Sequence, residues 1–157
     1  MGADNRTMDS DELVRRRTAG WQRLLERLAR EEAESWIARG LLPVLQAARV
    51  DPSLGRLFPF QSLMSLCFSR CSDWPYTNDC PAIGAARDGT YDVMAFAYPK
   101  PDLEGPPPPL VGQAANATEA VAIASAALTP PMPSVWIGTA DKPDQETSIA
   151  AADPTLM

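Results

Sequence analysis

Along the first fifty residues the apolar positions recur at helical spacing. Leu13, Trp21, Leu24, Leu25 and Leu28 fall on one stripe, with Arg and Glu between them. Ser10 ahead of Asp11-Glu12 predicts a helix start there, with acids in the first turn. Glu31 to Arg39 continues the helical pattern through Trp36 and Ile37, and Gly40 is expected to break it. Leu41 to Val50 then reads as a second amphipathic helix. Leu41, Leu45 and Ala48 face inward, Leu42 is a further candidate, and Pro43 fits the first turn. Asp51-Pro52-Ser53-Leu54 reads as a cap before a short helical turn.

From Phe58 the period changes to two. Pro59 biases Phe58 to an extended backbone, so a strand is expected to start nearby. The pattern predicts one strand over Ser62 to Ser72. Met64, Leu66 and Phe68 form its bulky face. Ser65, Cys67, Ser69 and Cys71 form a small face that a helix would approach closely or that would line a shallow cavity. Ser72 to Cys80 is a connecting loop stiffened by Trp74-Pro75-Tyr76. Pro81-Ala82-Ile83 reads as a short edge strand, and Arg87-Asp88-Gly89-Thr90 as a hairpin turn. A strand is expected over Tyr91 to Tyr98, with Met94, Phe96 and Tyr98 opposite Val93, Ala95 and Ala97.

Pro99 to Pro109 holds six prolines and reads as an extended spacer. Val111-Gly112-Gln113 predicts a further short strand. Asn116-Ala117-Thr118-Glu119 is a capping-box pattern opening an alanine-rich helix to Leu128, which Thr129-Pro130-Pro131 stops. The slim face of that helix suits the small face of the Ser62–Ser72 strand. Ser134 to Gly138 predicts a last strand. The expected architecture is α+β: an N-terminal helical layer, a small and mainly antiparallel sheet, and one crossover helix. Residues 1–9 read as a flexible N-terminus, 10–140 as one domain, and 141–157 as a disordered acidic tail.

Composition narrows the chemistry. Net charge is −6, yet residues 1–57 carry ten of the fourteen basic residues against nine acids. Basic residues mixed with Glu on helices read as a solvated face, so no nucleic-acid partner is expected. No apolar run is long enough for a membrane span, and the N-terminus lacks a signal-like apolar core. A cytoplasmic protein is expected. The chain has no histidine, which excludes His-based triads, Cys-His dyads and His-ligated metals. Proton transfer falls to Asp, Glu, Tyr, Cys or Lys. Lys100 and Lys142 both adjoin prolines in expected loops, a poor setting for a Schiff base. Cys67 and Cys71 would lie about 13 Å apart on a regular strand, too far for one ion or one disulfide. Cys71 and Cys80 could meet across the loop, but the three cysteines read as structural. Neither a metal site nor a cofactor is expected.

The candidate site is the polar, aromatic loop. Asp73, Tyr76 and Asp79 are the candidate acids and bases, and Arg70, Trp74 and Cys80 the candidate substrate contacts. The competing reading is that the aspartates stabilise turns and Arg70 pairs with one of them. Trp74, before a proline in a loop, is the tryptophan most open to a ligand.

Five segments together resemble a known family. They are Leu57-Phe58-Pro59-Phe60, the strand end Phe68-Ser69-Arg70-Cys71, Asp79-Cys80-Pro81, Asp88-Gly89-Thr90-Tyr91 and Glu119-Ala120-Val121-Ala122. Their order, from about Trp21 to Ile137, resembles an uncharacterised actinobacterial family of small α+β "natural product biosynthesis" proteins. The resemblance implies a context and no reaction. Within that context two expectations stand. One is a cofactor-independent enzyme or cyclase acting on an apolar pathway intermediate. The other is a non-catalytic partner of a neighbouring pathway protein, of carrier-binding or immunity type.

Overall fold

A computed structural model describes residues 2–97, 108–128 and 134–141, with the side chains of residues 2–9 outside the description. Tyr98, most of the proline-rich stretch, the Thr129-Pro130-Pro131 stop and the tail beyond Asp141 lie outside the described residues. The chain folds as α+β. Two helices, α1 (Gly2–Glu31) and α2 (Trp36–Arg49), precede a five-stranded antiparallel sheet in simple meander order, and α3 (Ala117–Ala127) follows it. The strands are β1 (Phe58–Ser62), β2 (Ser65–Ser69), β3 (Ala82–Ala85), β4 (Tyr91–Met94) and β5 (Leu110–Ala114).

The helical stripe behaves as its spacing requires. Leu13, Trp21, Leu24 and Leu28 of α1 and Leu41, Leu45 and Ala48 of α2 are buried in one core with Leu66, Phe68, Ile83 and Val93 of the sheet. Trp21 also donates from Nε1 to the Leu57 carbonyl at 3.0 Å, tying α1 to the entry of β1. The helix boundaries differ from those expected. Helix α1 runs through Ser10 rather than starting there, and the break between α1 and α2 falls before Ser35, whose hydroxyl caps the Ala38 amide at 3.2 Å. Gly40 lies inside α2. A Cβ there would stand 3.0 Å from the Ala85 Cβ, so glycine lets the helix press onto β3. The Gly40 carbonyl accepts from the Tyr91 hydroxyl at 2.6 Å. Pro43 lies well inside the helix, on its exposed side.

The expected strand over Ser62–Ser72 is two strands of a hairpin. Ser62 pairs with Ser65 across a two-residue turn at Leu63-Met64. Leu63 takes φ 54°, the left-handed region that hairpin turns need and that Gly or Asn fill at lower cost. No Gly or Asn marks the turn, which is why the alternation reads straight through it. Pro81-Ala82-Ile83 was expected at an edge. Instead β3 is the central strand, buried along its whole length, with Pro81 just before it. Gly89, at φ 92°, makes the expected turn between β3 and β4, with Asp88 accepting from the Thr90 amide at 3.0 Å and its hydroxyl at 2.6 Å. Strand β4 stops at Met94, where its pairing to β5 shifts register, so Ala97 joins Met94 rather than Val93.

Helix α3 is capped as its sequence dictates. Asn116 accepts from the Glu119 amide at 2.9 Å, and Glu119 reaches back to the Ala115 amide at 2.7 Å. Its seat is not the expected one. Ala120, Val121 and Ala124 join the main core, on the same sheet face as α1 and α2 and against β4 and β5. The bulky side chains Leu66, Ile83 and Val93 supply the apolar area that draws all three helices to that face. The serine-and-cysteine face has no helix on it among the described residues. Beyond α3, residues 134–140 lie beside the chain that leaves β2, with Val135 in the main core. Residues 134–140 form no full strand. They make one parallel bridge, Cys71 to Trp136, with Trp136 N–H on the Arg70 carbonyl at 2.9 Å and Ser72 N–H on the Trp136 carbonyl at 3.2 Å.

Candidate functional site

On the free face of the sheet the side chains are small. Two cross-strand rows make its floor: Ser65, Gly84 and Asp92, and Cys67, Ala82 and Met94. Leu63 and Met64 of the hairpin turn, with Ala97, form the rim of a hollow of about 280 Å³. Its surface is mostly apolar, and Leu63 and Met64 stand exposed at its mouth. Asp92 is the one carboxylate among the lining residues, held by Gln113 Nε2 at 3.0 Å. Burial pushes the Cys67 thiol up to about 12, against a weaker opposing hydrogen bond from the Ser62 backbone, so it is a neutral wall group rather than a nucleophile. Arg70, Asp73, Tyr76 and Asp79 do not line this hollow.

The loop of candidate residues lies beside the β1 edge and divides into two groups. Asp73 and Tyr76 come together in a cleft of about 370 Å³ against α1, with Arg15, Arg16 and Arg23 opposite. Arg16 lies 2.8 Å from Glu12 and 4.0 Å from Asp73. Tyr76 stacks on Phe60 with ring centroids 4.4 Å apart. Its phenol is pushed up, first by burial and then by the Asp73 charge, with Arg23 opposing, so the cleft presents a protonated hydroxyl. Arg70 and Asp79 form the second group. Asp79 accepts from Arg70 Nε at 2.9 Å and Nη2 at 2.6 Å, while the same guanidinium lies 5.0 Å over the Trp136 ring. Burial alone would raise the Asp79 carboxyl. The hydrogen bond and charge of Arg70, with Thr77, outweigh it and hold the group below its ordinary value.

Trp74 is 70% exposed, next to a cis peptide bond to Pro75. Cys80 is buried in the main core, and burial first, then Asp79, pushes its thiol up to about 12. All three cysteines are free and buried. No group of three or more His, Cys, Asp or Glu among the described residues is placed to hold a metal ion.

Ser69 organises the loop and carried no sequence signal of its own beyond alternation. Fully buried, its hydroxyl accepts from the Cys71 amide and the Thr77 amide, both at 3.1 Å, and bonds the Cys71 carbonyl at 3.0 Å. Thr77 in turn accepts from the Arg70 amide at 2.9 Å. The small face was expected to receive a helix or to line a shallow cavity, and Ser65 and Cys67 do line the hollow, but the extent of the hollow does not follow from one strand. Its floor is visible only once Ser65 and Cys67 are set in register against Ala82 and Gly84, which requires the hairpin turn.

The fold and site define a small α+β protein with a three-helix layer on one face of a meander sheet and an apolar hollow on the other. Residues 17–139 match the model of a family described as a family of unknown function, DUF6193, and the chain belongs to that family. No curated protein and no solved structure matches it. No described helix is long and apolar enough to cross a membrane.

Proposed function

We propose that this protein binds an apolar small molecule in the hollow on the free face of its sheet, as a component of bacterial natural-product biosynthesis. The carrying observation is the pairing of a small-residue floor with two exposed apolar side chains, Leu63 and Met64, at its mouth. Ser65, Cys67, Ala82 and Gly84 leave room that no side chain among the described residues fills. Leu63 adds weight, since an exposed leucine held at φ 54° is a backbone cost kept at the mouth of the hollow. The biosynthetic context rests on the order of sequence segments given above. Within it the ligand is an apolar pathway intermediate, and shape rather than a cofactor does the work.

Co-expression with the neighbouring biosynthetic genes, followed by native mass spectrometry, tests the reading. A bound apolar metabolite is expected on the wild type and is lost in Ser65→Leu, which fills the hollow from β2. A wild type that carries no metabolite, or a variant that carries as much, contradicts it.

A second reading has its own observation. The Tyr76 hydroxyl and Asp73 share the cleft with three arginines, an arrangement that would protonate and hold an anionic intermediate. Turnover of the intermediate that is abolished in Tyr76→Phe and retained in Ser65→Leu would move the site from the hollow to the cleft. Co-purification of a neighbouring pathway protein without metabolite or turnover would instead favour the non-catalytic partner.

A further inference from the structure

Helix α1 carries arginines at 16, 23, 27 and 30, with Gly20 completing a spacing of four, three, four and three. That period keeps them on one side of the helix. Their side borders a groove of about 470 Å³ whose other wall is β1: Pro59, Phe60 and Gln61, with Tyr76 at one end. Gly20, Arg23, Pro59 and Tyr76 line both this groove and the cleft beside Asp73, so the two adjoin where α1 meets Pro59. From Arg23 to Arg30, which line the groove, the helix rises about 11 Å, the length of about three residues of extended chain.

Cations outnumber carboxylates along the groove. Arg23, Arg27 and Arg30 line it against a single carboxylate, Glu26. Arg27 reaches Glu31 only at 3.7 Å, and among the described residues neither Arg23 nor Arg30 makes an ion pair. The wall opposite is a sheet edge, because β1 is the first strand in the order and pairs only with β2. The hairpin closes on the Ser62–Ser65 pair, so Ser62, Phe60 and Phe58 bond to β2. The amide and carbonyl of Gln61 turn away from β2 toward the groove, whereas at Pro59 the same edge meets α1, where a Cβ on Gly20 would stand 3.9 Å from the Pro59 ring. Pro59 sits where a missing N–H costs no ladder bond.

We propose that this groove is a docking site for an extended acidic peptide segment, which adds as a strand to β1 while its carboxylates meet the arginines of α1. Strand addition needs open backbone groups on one wall, and charge complementarity needs cations within reach of every second residue. Both are present side by side. A second copy of this chain pairing β1 to β1 would bring the two arginine rows together, a like-charge contact that an acidic peptide does not make. A nucleic acid would find the Tyr76 and Phe60 rings stacked on each other rather than open to bases. The site is separate from the apolar hollow, and it stands whether or not that hollow binds a metabolite.

The probe is a fluorescein-labelled hexapeptide alternating Glu and Val, followed by fluorescence anisotropy. Saturable binding is expected, weakening as salt is raised from about 50 to about 300 mM. Arg27→Ala with Arg30→Ala should weaken it about tenfold, as should N-methylation of the peptide amides on one edge. Ser65→Leu should leave it unchanged. A Lys-Val hexapeptide should not bind. No binding of the Glu-Val peptide overturns the proposal. So does equal binding of its N-methylated form, which would mean charge alone. Tighter binding of hexauridylate with the same arginine dependence would make the groove a nucleic-acid site, and a concentration-dependent dimer blocking the peptide would make it a self-interface.

Discussion

The two faces of the sheet are built from the same strands and are opposites. Along β2, Leu66 and Phe68 point to the helices and disappear into the main core, whereas Ser65 and Cys67 point to the hollow. Strand β3 repeats the division with Ile83 against Ala82 and Gly84, and β4 with Val93 against Asp92 and Met94. A period of two therefore writes two surfaces at once. The bulky one recruits α1, α2 and α3 and carries the stability. The small one holds only the lesser buried cluster of Cys67, Ala82 and Ala97, and it is the face proposed to take a ligand.

The sharpest way to break this comparison is to truncate neighbouring residues on opposite faces. Phe68→Ala removes a fully buried ring that meets Trp21 at 6.2 Å, and should cost about 3–5 kcal/mol in urea denaturation. Cys67→Ala, one residue away, should cost about 1 kcal/mol. Equal costs would mean the two faces share the load. Next in size is Ser69→Ala, which strips the Cys71 and Thr77 amides of their buried acceptor and should cost about 2 kcal/mol. It should also disturb the Asp73–Tyr76 cleft, visible as shifts of the Tyr76 ring signals in NMR.

Leu63→Gly separates stability from function on the free face. Relief of the left-handed backbone should raise stability by up to about 1 kcal/mol, while loss of the apolar rim weakens ligand binding. A variant that is both less stable and a tighter binder would contradict the role given to Leu63. The smallest effect belongs to the Arg70–Asp79 pair, since the Asp79 side chain is about half exposed to screening solvent. Its folded carboxyl lies below the ordinary value of 3.8. The stability it adds is therefore full above the unfolded value and lost as pH falls through the lowered folded one. Thermal melts of wild type and Asp79→Asn should differ at pH 7 and converge in acid. A gap that widens in acid would reverse the sign.

Much of the fold was legible because it depends on spacing within one element. The α1 stripe, the Asn116–Glu119 cap and the Asp88-Gly89 turn are local, and each stands where its residues predict. Some of what failed was local, such as the helix start expected at Ser10, but the rest depended on partners far along the chain. Gly40 reads as a breaker until Ala85 is seen pressing on it. Pro81 reads as an edge marker until β4 and β2 are seen on both sides of β3. The hairpin at Leu63-Met64 uses no turn residue, so Ser62 to Ser72 reads as one strand, and the seat of α3 followed from that reading. Asp73 and Tyr76 do meet, as do Arg70 and Asp79, but the helix that joins the first pair, with Arg16 and Arg23, gave no sign in a face of mixed charge.

The account turns on whether the small-residue face takes up an apolar molecule while the bulky face, already filled, does not. Titration with the neutral fluorophore N-phenyl-1-naphthylamine reads this directly. Saturable enhancement is expected for the wild type, with its loss in Ser65→Leu and its retention in Arg23→Ala at the opposite side of β1. No enhancement, or enhancement that survives Ser65→Leu, would contradict the central claim.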